Sequence, residues 1–430
     1  MNMRKQTLKA VVSAAAIAAS ALAANAASIT IDSVTQRWPW NNKVDITYTV
    51  TDGQNRAAGI YYGIDFDVTA NGRIYHIFGC DLGASAEGGA AGRQHTVTWI
   101  APVGIRATDC SMTATLYPTN VPSGNDYMIV DLTSGKVMYE GLFATQDESN
   151  ARYNIAEYKT SKLILRKIPK WVDRNDLPNA SILTGAGYHT GDDVNYPTSI
   201  SRPNTSKTWA TDRDYYLGVF PVTQSQYQKI YGSNPSEKKT TISGNEVTHR
   251  PVETVSYGDL RSSAASTSQI PAVNSNTGTF FQRLNFKTGL YFDLPTEVMF
   301  EIAERAGSTT TYYWGDTMVT NYVVCSENSG NSTVAVGSRL PNDWGFYDAC
   351  GNLWEWCLDV AVPGNLTART DAFTPAWAAS GNTRRWWFHG GGGWNQASTH
   401  ADFRASARGV ANANSLKSNG LGFRVSFVAK

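Results

Sequence analysis

Pro341-Asn342-Asp343-Trp344-Gly345-Phe346-Tyr347-Asp348-Ala349-Cys350-Gly351-Asn352-Leu353-Trp354-Glu355-Trp356 is the most telling stretch of this 430-residue chain. Its Gly, Asn and Trp are of the kind that fill the loops around the short helices of this half of the chain. Trp354 and Trp356 flank Glu355 and are expected in the core rather than on a binding platform.

Working outward, short and well-punctuated helices surround this stretch. Thr296 begins a helix over 297–306 that Gly307 stops. Glu297, Glu301 and Arg305 are four apart on it, so local ion pairing is expected. Thr223 caps 224–231, with Gln226 as capping-box partner and Gly232 as terminator. Thr279, Gln282 and Gly289 repeat the device. Loops rich in Gly, Asn, Ser and Trp lie between. Residues 171–430 therefore read as an α+β domain with few regular elements, and no tandem repeat is visible.

The N-terminal part has another texture. Residues 44–50 and 64–68 alternate apolar and polar, as half-buried strands do. Residues 74–78 and 95–100 are further strands, separated by turns such as Asp52-Gly53 and Asn71-Gly72. This predicts a small all-β, immunoglobulin-like sandwich over 28–146. Residues 147–170 read as a connector ending in a strand at 161–169. Before the sandwich, Arg4, Lys5 and Lys9 precede a small, apolar run over 10–23, then Ala24-Asn25-Ala26. Residues 1–26 are expected to be a cleaved secretory signal, and the mature protein to be soluble in the periplasm or the medium. The run is too short to anchor in a bilayer, and no later stretch could span one.

Lys and Arg total 37 and Asp and Glu 36, with no charged block, so an electrostatic nucleic-acid binder is not expected. Export permits disulfides. Cys80 and Cys110 are expected to pair, as are Cys325 and Cys350, leaving Cys357 a buried thiol. No CxxC spacing suggests zinc. There is no Gly-x-Ser-x-Gly elbow, and the 390–393 glycine run lacks the Lys and helix of a phosphate loop.

Several motifs occur in order: Val222-Thr223-Gln224-Ser225-Gln226-Tyr227, Arg250-Pro251-Val252, Leu294-Pro295-Thr296-Glu297, Tyr313-Trp314-Gly315, the opening stretch, Gly391-Gly392-Gly393-Trp394 and Leu421-Gly422-Phe423-Arg424. Over roughly 160–430 the chain resembles the sulfatase-modifying-factor domain, the formylglycine-generating-enzyme family. The resemblance implies a fold related to C-type lectins, often with bound calcium. Carried over residue by residue, it implies Asp348 and Glu355 as calcium carboxylates, with the carbonyls of Gly351 and Leu353. A hydrogen-bonded turn without metal is the alternative reading.

The family's enzymes oxidise a substrate cysteine with oxygen. The resemblance implies two cysteines binding Cu(I) between the GGSW-like and GFR-like motifs, since Cu(I) requires soft thiolates. Residues 394–423 contain no Cys. One would fall near Asn395 or Gln396, the other near His400 or Ala401, so copper is not expected and the catalytic cysteines are absent. The iron-dependent sulfoxide synthases that share the domain need three His from an added helical domain. The six His here lack i,i+4 spacing and the added domain is β, so that branch is rejected. The histidines are expected at ordinary loop or surface positions, with His389 and His400 nearest the implied pocket.

Three functions compete. The first is an exported, non-catalytic binder of peptide or glycan, using Trp387, His389, Trp394, Asn395, His400, Arg404 and Arg408 on a final loop. The second is an oxidoreductase of the sulfatase-maturation type with another metal site. The third is a structural cell-surface protein without a soluble ligand. Whether the chain is an enzyme stays open at this level.

Overall fold

The computed structural model describes residues 27–37, 43–51, 61–76, 88, 91–101, 104–119, 125–143, 145–169, 214–239, 247–261, 278–308, 310–361, 385–405, 407, 409–411 and 415–428. The expected export signal at 1–26 lies outside them. Two compact units result. One runs to Val130 and includes Lys136–Thr145; the other comprises Asp131–Gly135 and Gln146–Val428.

The first unit is all β. Its strands are β1 (Ser28–Gln36), β2 (Lys43–Thr51), β3 (Tyr61–Ala70), β4 (Arg73–His76), β5 (Arg93–Ile100), β6 (Ser111–Thr119), β7 (Tyr127–Asp131) and β8 (Val137–Glu140). Antiparallel sheets β1-β2-β5 and β4-β3-β6 enclose one core. Every second residue of β2 is buried, so Val44, Ile46, Tyr48 and Val50 face Phe66 and Val68 of the other sheet. The Tyr48 and Phe66 rings meet edge-on at 5.0 Å. Each such side chain taken from water stabilises the sandwich by about 1.5–3 kcal/mol. Asn71 and Gly72 close the β3–β4 hairpin with φ of 51° and 74°, the left-handed pair that a two-residue hairpin turn needs.

The second unit begins where a connector was expected. Residues 147–170 carry helices α1 (Gln146–Tyr153) and α2 (Glu157–Thr160) before the anticipated strand, β9 (Lys162–Ile168). Then follow β10 (Tyr215–Gly218), α3 (Gln224–Tyr231), α4 (Tyr257–Arg261), α5 (Phe280–Thr288), β11 (Phe292–Asp293), α6 (Glu297–Arg305), β12 (Trp354–Ala361), β13 (Arg385–His389), β14 (Gly409–Ala411), β15 (Leu421–Gly422) and β16 (Ser426–Val428). Strands β11, β16, β10 and β9 pair in that order, all antiparallel. A separate sheet runs β14-β13-β12-β15.

Both capping boxes form. Thr223 accepts from the Gln226 amide while Gln226 returns to the Thr223 N–H, and Thr279 and Gln282 do the same. Gly232 and Gly289 end these helices at φ of 92° and 77°. On α6, Thr296 accepts from the Met299 N–H, and the chain leaves through Ala306 at φ 48°. All nine residues of α6 are buried, including Glu297, Glu301 and Glu304. The expected local pair forms, with Arg305 Nε donating to Glu301 at 2.7 Å. Among the described residues no helix is long and apolar enough to cross a membrane.

Candidate functional site: the loop after β13

The opening stretch of sequence holds the second unit together. Gly351, with φ 82°, sends its N–H to the carbonyls of both Gly390 and Gly391, at 3.1 and 2.8 Å. The Asn352 side chain clasps Val334, accepting from its N–H at 3.1 Å and donating to its carbonyl at 2.9 Å. Trp394 N–H donates to the Asn352 carbonyl at 3.1 Å. The glycine run that follows β13 is thereby fastened to the 348–352 turn.

The carboxylates carried over as calcium ligands turn to protein donors. Asp348 accepts from the Gly337 N–H at 2.7 Å. Glu355 accepts two bonds from Arg424, at 2.8 Å from Nε and 2.7 Å from a terminal nitrogen. That guanidinium also donates to the carbonyls of Gly218, Tyr347 and Asp348. The Gly351 carbonyl accepts from the Leu353 N–H at 2.8 Å. A hard dication wants several oxygens turned to one point. Here both Glu355 oxygens are taken by Arg424 and the Gly351 carbonyl by Leu353, so this donor set does not fit calcium, and the geometry is that of a hydrogen-bonded turn.

The copper positions hold hard or neutral groups. Gln396 accepts from the Gly393 N–H at 2.6 Å and donates to Asp402 at 2.7 Å. His400 Nδ1 lies 3.2 Å from Asp402 Oδ2. Asn395 is exposed. None of these supplies the sulfur that Cu(I) needs.

Cys325 and Cys350 correct an expectation. Both are buried free thiols, although the Val324–Gly351 bridge brings their segments together. The Cys350 thiol donates to the Phe403 carbonyl at 2.9 Å rather than turning to Cys325. Burial pushes Cys325 up to about 11 and Cys350 well above the usual thiol range, so neither is a thiolate near neutral pH. Cys110 is also a free thiol, donating to the Arg106 carbonyl at 3.2 Å; Cys80 lies outside the described residues. Cys357 is the buried thiol expected.

The proposed binding residues separate. Trp394 is buried, its indole donating to the Asn419 carbonyl at 2.9 Å and Lys238 sitting 4.0 Å above the ring. It braces the loop rather than presenting a face. His389 is fully buried, stacked on Phe300 at 5.0 Å, where a surface position was expected. The β12–β13 register, Glu355 opposite His389, carries it inward. The Trp387 side chain and Arg408 lie outside the described residues. Asn395, His400 and Arg404 stay at least partly exposed.

Beside them stands a feature the sequence reading missed. Tyr312, Trp314 and Tyr322 form a three-ring stack, with Trp314 between its neighbours at 4.9 and 5.2 Å and interplanar angles of 6° and 8°. All three rings are half-buried. The Ala405 N–H donates to the Thr311 carbonyl at 3.0 Å, which ties the stack to the polar loop. Tyr313-Trp314-Gly315 marked the place, but Tyr322 enters only through folding.

Glu327 anchors the loop's tip, accepting from the Ser398 N–H at 2.9 Å and its hydroxyl at 3.0 Å. The Ser398 N–H above all holds this carboxyl at about 2, against an ordinary 4.5. A carboxyl lowered on folding stabilises above its unfolded value, and that stabilisation fades as pH falls toward the folded value. Amide exchange at Ser398, corrected for intrinsic rate, should accelerate between pH 4.5 and 2. Glu327→Gln should flatten that acid dependence. A flat wild-type profile over the same range would remove Glu327 as the anchor.

The sulfatase-modifying factor enzyme 1-like domain matches residues 169–428. The chain belongs to that family. Its second unit is therefore a sulfatase-modifying-factor domain with a C-type-lectin-like fold, preceded by the β unit. Among curated relatives, chaperone protein LppX of Paenibacillus barcinonensis is 27% identical over 200 residues, 36% of this chain and 67% of that protein. The formylglycine-generating enzyme of Streptomyces coelicolor is 31% identical over 145 residues, 30% of this chain but only 45% of that enzyme. Among solved structures, Treponema denticola variable protein 1 aligns with TM-score 0.45 and 21% identity, over 62% of this chain and 95% of that one.

Proposed function

We propose that this sulfatase-modifying-factor chain is an exported ligand-binding protein that keeps the family framework without its thiol chemistry. One observation carries the reading. Where copper thiolates would be needed, an amide and imidazole loop is held by Gln396–Asp402 and Glu327–Ser398 bonds, beside a stacked aromatic face. Aromatic stacks with nearby amides suit a glycan or peptide, which contributes rings or apolar sugar faces together with hydrogen-bonding groups. Tyr312, Trp314 and Tyr322 would supply stacking, and Asn395, His400 and Arg404 hydrogen bonds.

A glycan and peptide array probed with the mature chain tests this. A hit is expected whose affinity falls at least tenfold (~1.4 kcal/mol) in Trp314→Ala. The rival is an oxidoreductase that converts protein cysteine to formylglycine. Stoichiometric Cu(I) binding, with oxidation of a Cys-containing sulfatase peptide by oxygen, would establish the rival instead. Localisation belongs to the same proposal: the export reading of 1–26 places the mature chain in the periplasm or medium, and fractionation of the producing cell tests it.

A further inference from the structure

Away from that loop, α6 and β13 bring three potential metal ligands together. Glu297 and Glu301 lie four apart on one face of α6, and His389 ends β13. One ligand atom from each falls within 4.8 Å of the other two, and all three residues are buried. Ligands about 2.0–2.2 Å from a zinc-sized ion stand roughly 3–4 Å apart, so small side-chain rotations bring all three atoms to bonding distance. Among the described residues no other group of three His, Cys, Asp or Glu converges in this way.

From this we infer that Glu297, Glu301 and His389 form a buried three-residue site for a divalent transition-metal ion. Two carboxylate oxygens and one imidazole nitrogen suit zinc or manganese rather than Cu(I). Each part is held by something else. The Glu297 N–H is bound to Asp359 at 2.7 Å, which fixes the first turn of α6. Arg305 holds Glu301 through Oε1. Phe300 stacks on the His389 ring at 5.0 Å, and Arg424 lies 5.0 Å from the Phe300 ring centre. His389 Nδ1 sits 3.2 Å from Glu304 Oε2 and 2.8 Å from the Gly390 N–H. These two neighbours fix where the imidazole lies against α6. The helix buries three carboxylates and one cation, and buried charges are paired or coordinate metals.

An imidazolium bound by carboxylates, with no metal, is the competing state of the same cluster, and the experiment separates the two. The full chain is unfolded in urea with chelator, refolded with Zn²⁺ or with Mn²⁺, and passed through a desalting column. Metal per chain is then counted by mass spectrometry. One equivalent of either ion is expected, with a higher Tm than the metal-free protein. His389→Gln and Glu301→Gln should each retain at least tenfold less, and Cys325→Ser should retain the wild-type amount. The wild-type metal's X-ray absorption should show an oxygen and nitrogen shell with one imidazole, a readout that needs no variant to fold. Less than a tenth of an equivalent of both ions on wild type, wild-type retention by His389→Gln, or sulfur in the shell would each overturn the site. None of these results bears on the surface loop, so this inference and the binding proposal fail separately.

Discussion

Arg424→Met is expected to destabilise the second unit by about 3–5 kcal/mol, the usual loss when one partner of a buried ion pair is removed. The two side chains are 1% and 0% exposed. Without the guanidinium, Glu355 keeps its burial and loses both short hydrogen bonds. The carbonyls of Gly218, Tyr347 and Asp348 lose a donor at the same time. Arg424→Lys should recover little, because an ammonium cannot reproduce the planar fork that reaches these acceptors. Adding Glu355→Leu to Arg424→Met should regain part of the loss, since no uncompensated carboxylate then stays buried. Urea unfolding of the three variants checks this. An Arg424→Met unfolding free energy within about 1 kcal/mol of wild type would show that the pair does not hold the 348–355 turn.

The second large effect is expected from Gly391→Ala. A Cβ there would collide with the Asp402 carbonyl oxygen and come within 2.9 Å of its carbon and 3.2 Å of Phe403 Cα. These are backbone atoms and cannot swing away. The 401–403 segment would have to move, breaking the Cys350 thiol bond to Phe403 and loosening the Gly351 bond to Gly391. Overpacking of this kind costs about 1–3 kcal/mol, occasionally more. Ligand binding by the loop should fall more steeply than stability, because the displaced segment is flanked directly by His400 and Arg404. Gly393→Ala is the control. Its Cβ would meet only side-chain ends, Asn395 Oδ1 at 3.1 Å and Gln396 Oε1 at 4.0 Å. Near-wild-type stability is expected there. Equal losses in the two variants would refute the backbone-contact account.

Features whose partners lie within four residues were readable directly. The caps at Thr223, Thr279 and Thr296, the Asn71-Gly72 hairpin and the Glu301–Arg305 pair all formed where their spacing indicated. The ordered family motifs identified the domain. Contacts between distant residues were not readable. Cys325 and Cys350 are 25 positions apart and share a core, but which way the Cys350 thiol points depends on a loop more than 50 residues further on. Glu355 looked like a metal ligand until Arg424, 69 residues away, was found against it.

By itself the chain determined its capped helices, the alternating strands of its first part and its family, because hydrogen bonds within one turn and alternation along one strand are settled by neighbours; helices α1 and α2, read as a connector, were not legible. Tertiary structure decided which groups meet. The antiparallel register of β12 and β13 sets Glu355 opposite His389 and so buries a histidine that reads as a surface residue. The two strands lie far apart in the chain, so no turn chemistry fixes their register in the sequence; it is set by which residues pair in the folded sheet, against which α6 packs.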